Sequence, residues 1–234
     1  MFQDDIMRAV DSILAARAGN VKVNAVMNAK QLRLNPDKTS YIMFGGKKER
    51  AAAREEISLS PIMCGQFMTK EKVVDKWLGD MFHQDGLSAS VRATIEEREA
   101  KVKGACYEAV AIVEDWRAQV IGGFHSAIDL FEMAILPTLL YNAETWIGIT
   151  KESEEKLENL QLFFLRLALK VPQGTPKLAL RSETGVLSMK LRVWKRKLMF
   201  ANHLKSLKEG DLAAKIWKEQ LTSNWPGLAK EVKR

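Results

Sequence analysis

The 234-residue sequence is poor in cysteine, histidine and proline, and each shortage excludes a class of structure. The two cysteines, Cys64 and Cys106, cannot form a disulfide framework, so we expect a reducing compartment. The three histidines are dispersed, and none has the spacing of a metal site. Six prolines and fourteen glycines leave little room for long linkers and favour long helices.

Long hydrophobic runs are missing as well. The most apolar stretch, Phe131 to Ile149, is interrupted by two glutamates, a proline and an asparagine, which is poor material for a membrane span. The first residues, Met1 to Asp5, include two acids, and no apolar segment of the signal-peptide type follows them. We therefore expect no membrane partner and an intracellular protein, in the nucleus or cytoplasm, that is not secreted.

The sequence does contain an excess of positive charge. Thirty-six Lys and Arg residues face 29 Asp and Glu residues, a formal net charge of +7. A hydrophobic fraction of 47% is that of a folded globular chain. The sequence contains no Gly-x-Ser-x-Gly nucleophile motif, no phosphate-binding loop and no dinucleotide-binding motif. Together these features favour a folded protein with a polyanionic partner.

Glycine and proline positions, together with the spacing of apolar residues, divide the chain into two parts. The first part has the pattern of an α+β arrangement. We expect two helices within residues 1–35, broken at Gly19-Asn20, because their apolar residues recur at helical spacing. Further expectations for this part are a turn at Asn35-Pro36-Asp37, a strand in Thr39–Phe44, an exposed excursion over Lys47–Glu56, and short strands in Ile57–Phe67 and Val73–Leu78.

The second part reads as all helical. The expected helices are Ser88–Val120 with Ser88 as N-cap, Phe124–Ile147 interrupted by Pro137, Lys151–Lys170 capped by Thr150, a short helix from Thr175-Pro176 to Gly185, Met189–Lys208 capped by Ser188, and Leu212–Leu221. The fold class is therefore α+β, predominantly α, with domains at residues 1–85 and 86–234. We expect the helical part to have its own core, built on Val91, Ile95, Val113, Trp116, Leu139, Leu140, Trp146, Phe163, Phe164 and Trp194.

Two adjacent carboxylates near the start of the chain are the first chemical signal. Asp4 and Asp5 follow Phe2 and Gln3, a pattern that suits a tight turn whose side chains reach a divalent ion. Such pairs are common, and taken alone the tetrapeptide is better explained by a solvated N-terminal turn or helix start.

Three further motifs follow in order. They are Leu32-x-x-Asn35-x-x-Lys38-Thr39, the triplet Trp77-Leu78-Gly79, and Leu139-Leu140-Tyr141-Asn142-x-Glu144-x-Trp146. With Phe2-Gln3-Asp4-Asp5, the chain resembles the reverse transcriptases of non-LTR (LINE-type) retrotransposons. In that family the third motif has tyrosine in place of Trp77, and the fourth has glycine in place of Asn142.

The resemblance implies the end of a polymerase palm with a primer-grip-like hairpin in residues 1–85, and a helical thumb with a helical extension in residues 86–234. It implies Asp4 and Asp5 as catalytic ligands of Mg²⁺, with Asp4 the more direct ligand. Lys38 becomes a catalytic residue near the triphosphate, and Phe2 packs beside the primer. The primer-supporting hairpin is assigned to Trp77 and Gly79.

The resemblance also implies partners. These are an RNA template with a DNA primer, or an RNA–DNA hybrid, together with an N-terminal polymerase half. The family's fingers and its first metal-binding motif lie upstream of the Asp-Asp pair. We therefore expect this chain alone to be inactive as a polymerase, with weak or absent Mg²⁺ binding.

A basic helix is the second signal for nucleic acid. Seven cations lie within Val186–Lys208, and this segment contains no acidic residue: Lys190, Arg192, Lys195, Arg196, Lys197, Lys205 and Lys208. We expect an unopposed basic face that contacts phosphates, although a solvated lysine-rich face has the same pattern.

A second function stays open at the level of sequence. Besides a fragment of an RNA-directed DNA polymerase that holds template and primer, the sequence allows a non-enzymatic nucleic-acid-binding or scaffold protein derived from such an element. A helical protein without a nucleic-acid role is a third alternative, which the net charge of +7 disfavours.

Overall fold

The computed structural model describes residues 6–117, 123–208, 210–223 and 227–233. The chain forms two compact units that divide between Ser90 and Val91. Phe2, Asp4 and Asp5 lie outside the described residues, and so does Val120, the expected end of the helix that begins at Ser88. The sequence-based boundary at residues 85/86 falls a few residues before this division.

The first unit combines two helices with six short strands among its described residues. The helices are α1 (Ile13–Ala29) and α2 (Lys47–Leu59). The strands are β1 (Ser40–Tyr41), β2 (Met63–Cys64), β3 (Phe67–Met68), β4 (Lys70–Glu71), β5 (Val74–Trp77) and β6 (Asp80–His83). They pair two by two: β1 with β4 in parallel, β2 with β3 and β5 with β6 antiparallel.

The break expected at Gly19-Asn20 is wrong, because α1 runs through both residues. Gly19 instead gives space to Arg8, whose guanidinium nitrogen would lie only 1.1 Å from a Cβ added at Gly19. From there Arg8 donates a hydrogen bond to the Ala16 carbonyl at 2.6 Å. Gly19 therefore allows the Arg8 side chain to approach the helix backbone closely, and it does not end the helix.

The charged segment expected as an excursion is the helix α2. Glu49 accepts a hydrogen bond from the Gly46 N–H at 2.8 Å, which closes the first turn. Arg50 is buried and donates to the Gln84 carbonyl at 3.0 Å and to Asp85 at 2.7 Å. The strand expected over Thr39–Phe44 is shorter, only Ser40–Tyr41.

The second unit is helical throughout its described residues. Its long helix α3 begins at the end of the first unit. The helices are α3 (Leu87–Arg117), α4 (Gly123–Leu130), α5 (Leu136–Leu139), α6 (Lys151–Leu169), α7 (Lys177–Thr184), α8 (Met189–Ser206), α9 (Leu212–Thr222) and α10 (Leu228–Lys233), with a π-helical segment Phe131–Ile135 and a 3₁₀ turn Ala143–Thr145.

Three of the expected caps are confirmed. The hydroxyl of Thr150 accepts a hydrogen bond from the Ser153 N–H, and the hydroxyl of Ser188 accepts one from the Leu191 N–H. Gly185 ends α7 with a positive φ of 65°. The cap expected at Ser88 is wrong, because α3 already begins at Leu87. The short helix expected from Thr175-Pro176 begins at Lys177, and the Thr175 hydroxyl donates to the Pro172 carbonyl instead of capping it.

Pro137 interrupts its helix, as expected from its missing N–H. The turns before it widen into the π-helical segment, in which the Leu136 N–H donates to the Phe131 carbonyl five residues back. The Thr138 hydroxyl donates to the Ala134 carbonyl at 3.2 Å. The helix therefore reaches Leu139 with altered register.

The protein is predominantly helical with small sheets, which confirms the fold class at that level. The main core belongs to the second unit. Among the expected core residues, Phe163 is partly exposed and packs against the core. The side chains of Val113 and Trp116 are not among those that the structure describes. Trp194 is partly exposed. The fully buried members of the expected set are Val91, Ile95, Leu139, Leu140, Trp146 and Phe164.

Candidate nucleic-acid interface

Lys38 stands at the entrance to β1, after a tight turn. The side chain of Asn35 accepts the Asp37 N–H at 2.9 Å, and its carbonyl accepts both the N–H and the hydroxyl of Thr39. This turn directs the chain into β1, which pairs in parallel with β4. Lys38 itself is exposed.

Trp77, Leu78 and Gly79 form the tip of the β5–β6 hairpin. Trp77 pairs with Asp80, so Leu78 and Gly79 are a two-residue connection. Both have positive φ, 47° and 89°, as a type I′ turn requires. The Trp77 ring lies edge-on to Phe82 with centroids 6.1 Å apart, which makes it a packed aromatic residue.

The segment around Asn142 turns the chain out of α5. Asn142 has left-handed backbone angles, φ 54° and ψ 17°. Arg98 donates to the carbonyls of Leu139 and Tyr141 at 3.2 and 2.7 Å, and Arg196 donates to the carbonyl of Leu140 at 3.1 Å. Two arginines thus satisfy carbonyl groups left free at the end of the helix.

Arg98 was missed by sequence reasoning, because it lies in the run Glu96-Glu97-Arg98-Glu99 and resembles a surface charge. It is buried, at 4% exposure, and lies over the rings of Tyr141 and Trp146. Its position on α3 was the available signal. Arg98 continues the apolar spacing Val91, Ile95, Val102 and Cys106, so it falls on the core-facing side.

The basic helix α8 does not present the unopposed face that its sequence predicts. Carboxylates from three other elements pair with its cations. Lys190 contacts Glu154 at 3.1 Å, Arg192 contacts Glu132 at 2.6 Å, and Arg196 lies 3.9 Å from Glu144. The expectation that no acid neutralises this face is therefore wrong for these cations.

Lys197 is a structural residue in this fold. Its side chain is 3% exposed and pairs with Glu231 of α10 at 2.5 Å. The ammonium also lies 5.4 Å from the centroid of the Trp194 ring. A nucleic acid has no access to so buried a cation, so the assignment of Lys197 as a nucleic-acid contact is corrected.

Lys195 is exposed on α8, as the sequence predicts. It pairs with no carboxylate in the part of the chain that the structure describes. Lys205, ten residues further along α8, is exposed in the same way. Lys195 lies between the exposed side chains of Leu191 and Leu198, so the available surface is a mixed one.

Metal and thiol chemistry receive no support from the described residues. Within the described ranges, no group of three or more His, Cys, Asp or Glu residues could hold a metal ion. The predicted Mg²⁺ ligands Asp4 and Asp5 lie outside those ranges. Burial raises the pKa of the Cys106 thiol to about 12, which keeps it protonated and unreactive.

Comparison with known proteins provides no identification. No protein-family model, no curated protein and no solved structure matches the chain. None of the helices among residues 6–117, 123–208, 210–223 and 227–233 has the length and apolar character needed to cross a bilayer.

Proposed function

We propose that this chain is part of an RNA-directed DNA polymerase of the non-LTR retrotransposon type, and that it holds a template–primer duplex. The supporting observation is the left-handed backbone at Asn142. That conformation is the one glycine adopts freely, and asparagine is among the few other residues that tolerate it. The resembling family has glycine at this position, so the sequence difference preserves the backbone requirement.

The hairpin at Trp77-Leu78-Gly79 supports the same proposal. A primer-supporting hairpin needs a tight tip, and the two-residue connection supplies one. Lys38 supports it more weakly, since it is exposed beside the parallel pair β1–β4 and is available to an anionic ligand.

Lys195 and Lys205 are the cations of α8 that we assign to the nucleic-acid backbone. Ten residues of helix separate them by about 15 Å, a distance that spans more than one phosphate. Arg192 and Arg196 contribute less, because a phosphate must first displace the carboxylates of Glu132 and Glu144.

The test is the salt dependence of binding to an RNA–DNA hybrid, measured by fluorescence anisotropy on the full chain. Two phosphate contacts contribute about 1.8 units to the log–log salt slope, so the double variant K195Q/K205Q loses roughly that amount. The matched control is K47Q/K48Q, which removes the same charge from two exposed lysines of α2. Equal losses in the two variants contradict the assignment to α8.

A second measurement separates template–primer binding from general polyanion binding. We expect the hybrid to bind more tightly than a single-stranded RNA of equal length and charge. Equal affinities favour the second candidate, a non-enzymatic nucleic-acid-binding or scaffold protein. We also expect no nucleotide incorporation on a primed RNA template with Mg²⁺. Incorporation that Asp4→Ala abolishes contradicts this.

A further inference from the structure

A cavity on the second unit is lined by none of the α8 residues assigned to nucleic acid. It has a volume of about 580 Å³ and opens to solvent beside the C-terminal end of α6. This volume falls within the usual range for small-molecule sites, about 300–1,000 Å³. Four apolar side chains line it: Val110 of α3, Phe163 and Leu167 of α6, and Val171 in the loop after α6.

The polar lining of the cavity is cationic or neutral. It consists of Arg166, Lys170 and Gln173, and no acidic residue lines the cavity among the described residues. The sequence contains no Asp or Glu between Glu158 and Glu183, so neither α6 beyond Glu158 nor the loop after it supplies a carboxylate. The site therefore combines an apolar wall with positive charge.

Arg166 has an unused donor at this place. Its Nη2 donates to the Thr175 carbonyl at 3.1 Å, but its buried Nε has no acceptor. Among the described residues it pairs with no carboxylate. An arginine without a carboxylate partner keeps its charge available to an anionic ligand. This arrangement differs from α8, whose arginines already have carboxylate partners.

The apolar wall is held in place by its neighbours. The ring of Phe163 lies edge-on to Tyr107 with centroids 5.4 Å apart, and Leu167 packs against the main core. A preformed wall reduces the entropy that a ligand must lose on binding. A ligand that buries an apolar body there places its charged group next to Arg166.

From this juxtaposition we propose that the cavity binds a small amphiphilic anion, a compact apolar body that carries one phosphate or carboxylate group. The apolar body lies against Phe163 and Leu167. The anionic oxygen accepts a hydrogen bond from the Arg166 guanidinium. The proposal is independent of the polymerase assignment, since none of its residues belongs to the four motifs or to α8.

The test is calorimetric titration of the full chain with 1-naphthyl phosphate. We expect one site per chain and an affinity at least about tenfold above those of inorganic phosphate and of 1-naphthol, because each lacks half of the interaction. A titration with octanoate identifies the apolar part of the ligand. Binding as tight as that of 1-naphthyl phosphate, or tighter, indicates an acyl ligand, and weaker binding indicates an aromatic one. Binding of 1-naphthyl phosphate no tighter than inorganic phosphate overturns the proposal.

Two variants locate the site. Arg166→Gln should weaken 1-naphthyl phosphate binding about tenfold, as expected for the loss of a charged hydrogen bond. Lys177→Gln is the matched control, an exposed cation of α7 outside the cavity. Because Arg166 also holds the Thr175 carbonyl, Val110→Trp fills the cavity independently from α3 and should abolish binding. Unchanged affinity in Val110→Trp overturns the assignment.

Discussion

Asn142 illustrates how a single backbone conformation constrains a residue type. Its φ of 54° is left-handed, and a side chain with a Cβ pays about 1–2 kcal/mol in this region. We expect Asn142→Ala to lower the free energy of unfolding by about 1 kcal/mol, since alanine has the Cβ without the local hydrogen bonding of asparagine. Asn142→Gly should stay within about 0.5 kcal/mol of the native protein, as urea unfolding would show. Equal losses in both variants would assign the effect to the lost side chain.

Lys197 gives a second prediction for a single residue. Glu231→Gln leaves the Lys197 ammonium, 3% exposed, without its ion-pair partner. Breaking one side of a buried pair costs about 3 kcal/mol, whereas replacing both members by apolar residues is close to neutral. Chemical denaturation should therefore rank Glu231→Gln well below the double variant K197M/E231L. The opposite ranking would mean that the pair is not buried in solution.

Partners distant in sequence explain why the single residues of α8 were misread. The caps Thr150, Ser188 and Gly185 were predictable because their hydrogen bonds join residues within one helical turn. Lys197 and Glu231 are 34 positions apart, and Arg192 and Glu132 are 60 apart. Local sequence contains no information about which carboxylates reach a basic helix.

Among the elements, the parallel pair β1–β4 depends on Asp75 of the neighbouring strand β5. The Asp75 carboxylate accepts hydrogen bonds from the Ser40 hydroxyl and from Lys72, the latter at 2.8 Å. Burial alone would raise its pKa, but these hydrogen bonds and the Lys72 charge outweigh burial and hold the pKa of Asp75 below its usual value.

The depressed pKa predicts an acid-sensitive link between β1 and β5. The link is fully present above the unfolded pKa of about 3.9 and weakens as pH falls through the lower folded value. Amide-exchange protection of Tyr41 should therefore fall with pH in that range, and Asp75→Asn should reduce this dependence. Asp37→Asn is the control, since its carboxylate is 89% exposed and its nearest cation is 3.8 Å away. A native-like profile in Asp75→Asn would exclude this carboxylate as the cause.

The ends of helices were predicted well where one helix face is apolar, as in α6. They were predicted poorly where contacts between distant residues determine where an element ends. The sequence predicts a helix break at Gly19, but the helix continues and the Arg8 guanidinium occupies the space beside this glycine. The strands of the first unit are two to four residues long, too short for periodicity to define their ends. The positive φ of Leu78, by contrast, was not predictable from its residue type.

At the scale of the whole molecule, buried apolar side chains are distributed unevenly between the two units. Ile62 and Cys64 are the only buried apolar side chains among the described residues of the first unit, whereas 28 lie in the second. Burial of apolar surface must offset the conformational entropy of folding, so the first unit has the smaller stability. Limited trypsin digestion should leave a resistant fragment that begins near Val91. A resistant fragment confined to residues before Gly79 would reverse this ranking.

The pairing of α8 with carboxylates of the same protein also sets a threshold for its ligands. A phosphate that approaches Arg192 or Arg196 competes with Glu132 or Glu144, which are covalently tethered and never diffuse away. Each displaced carboxylate then adds a negative charge beside the incoming polyanion. A sparse anion, such as one isolated phosphate, loses this competition, while closely spaced phosphates can engage several cations at once. Under the proposed function, these carboxylates act as an internal competitor that favours ligands with closely spaced charges.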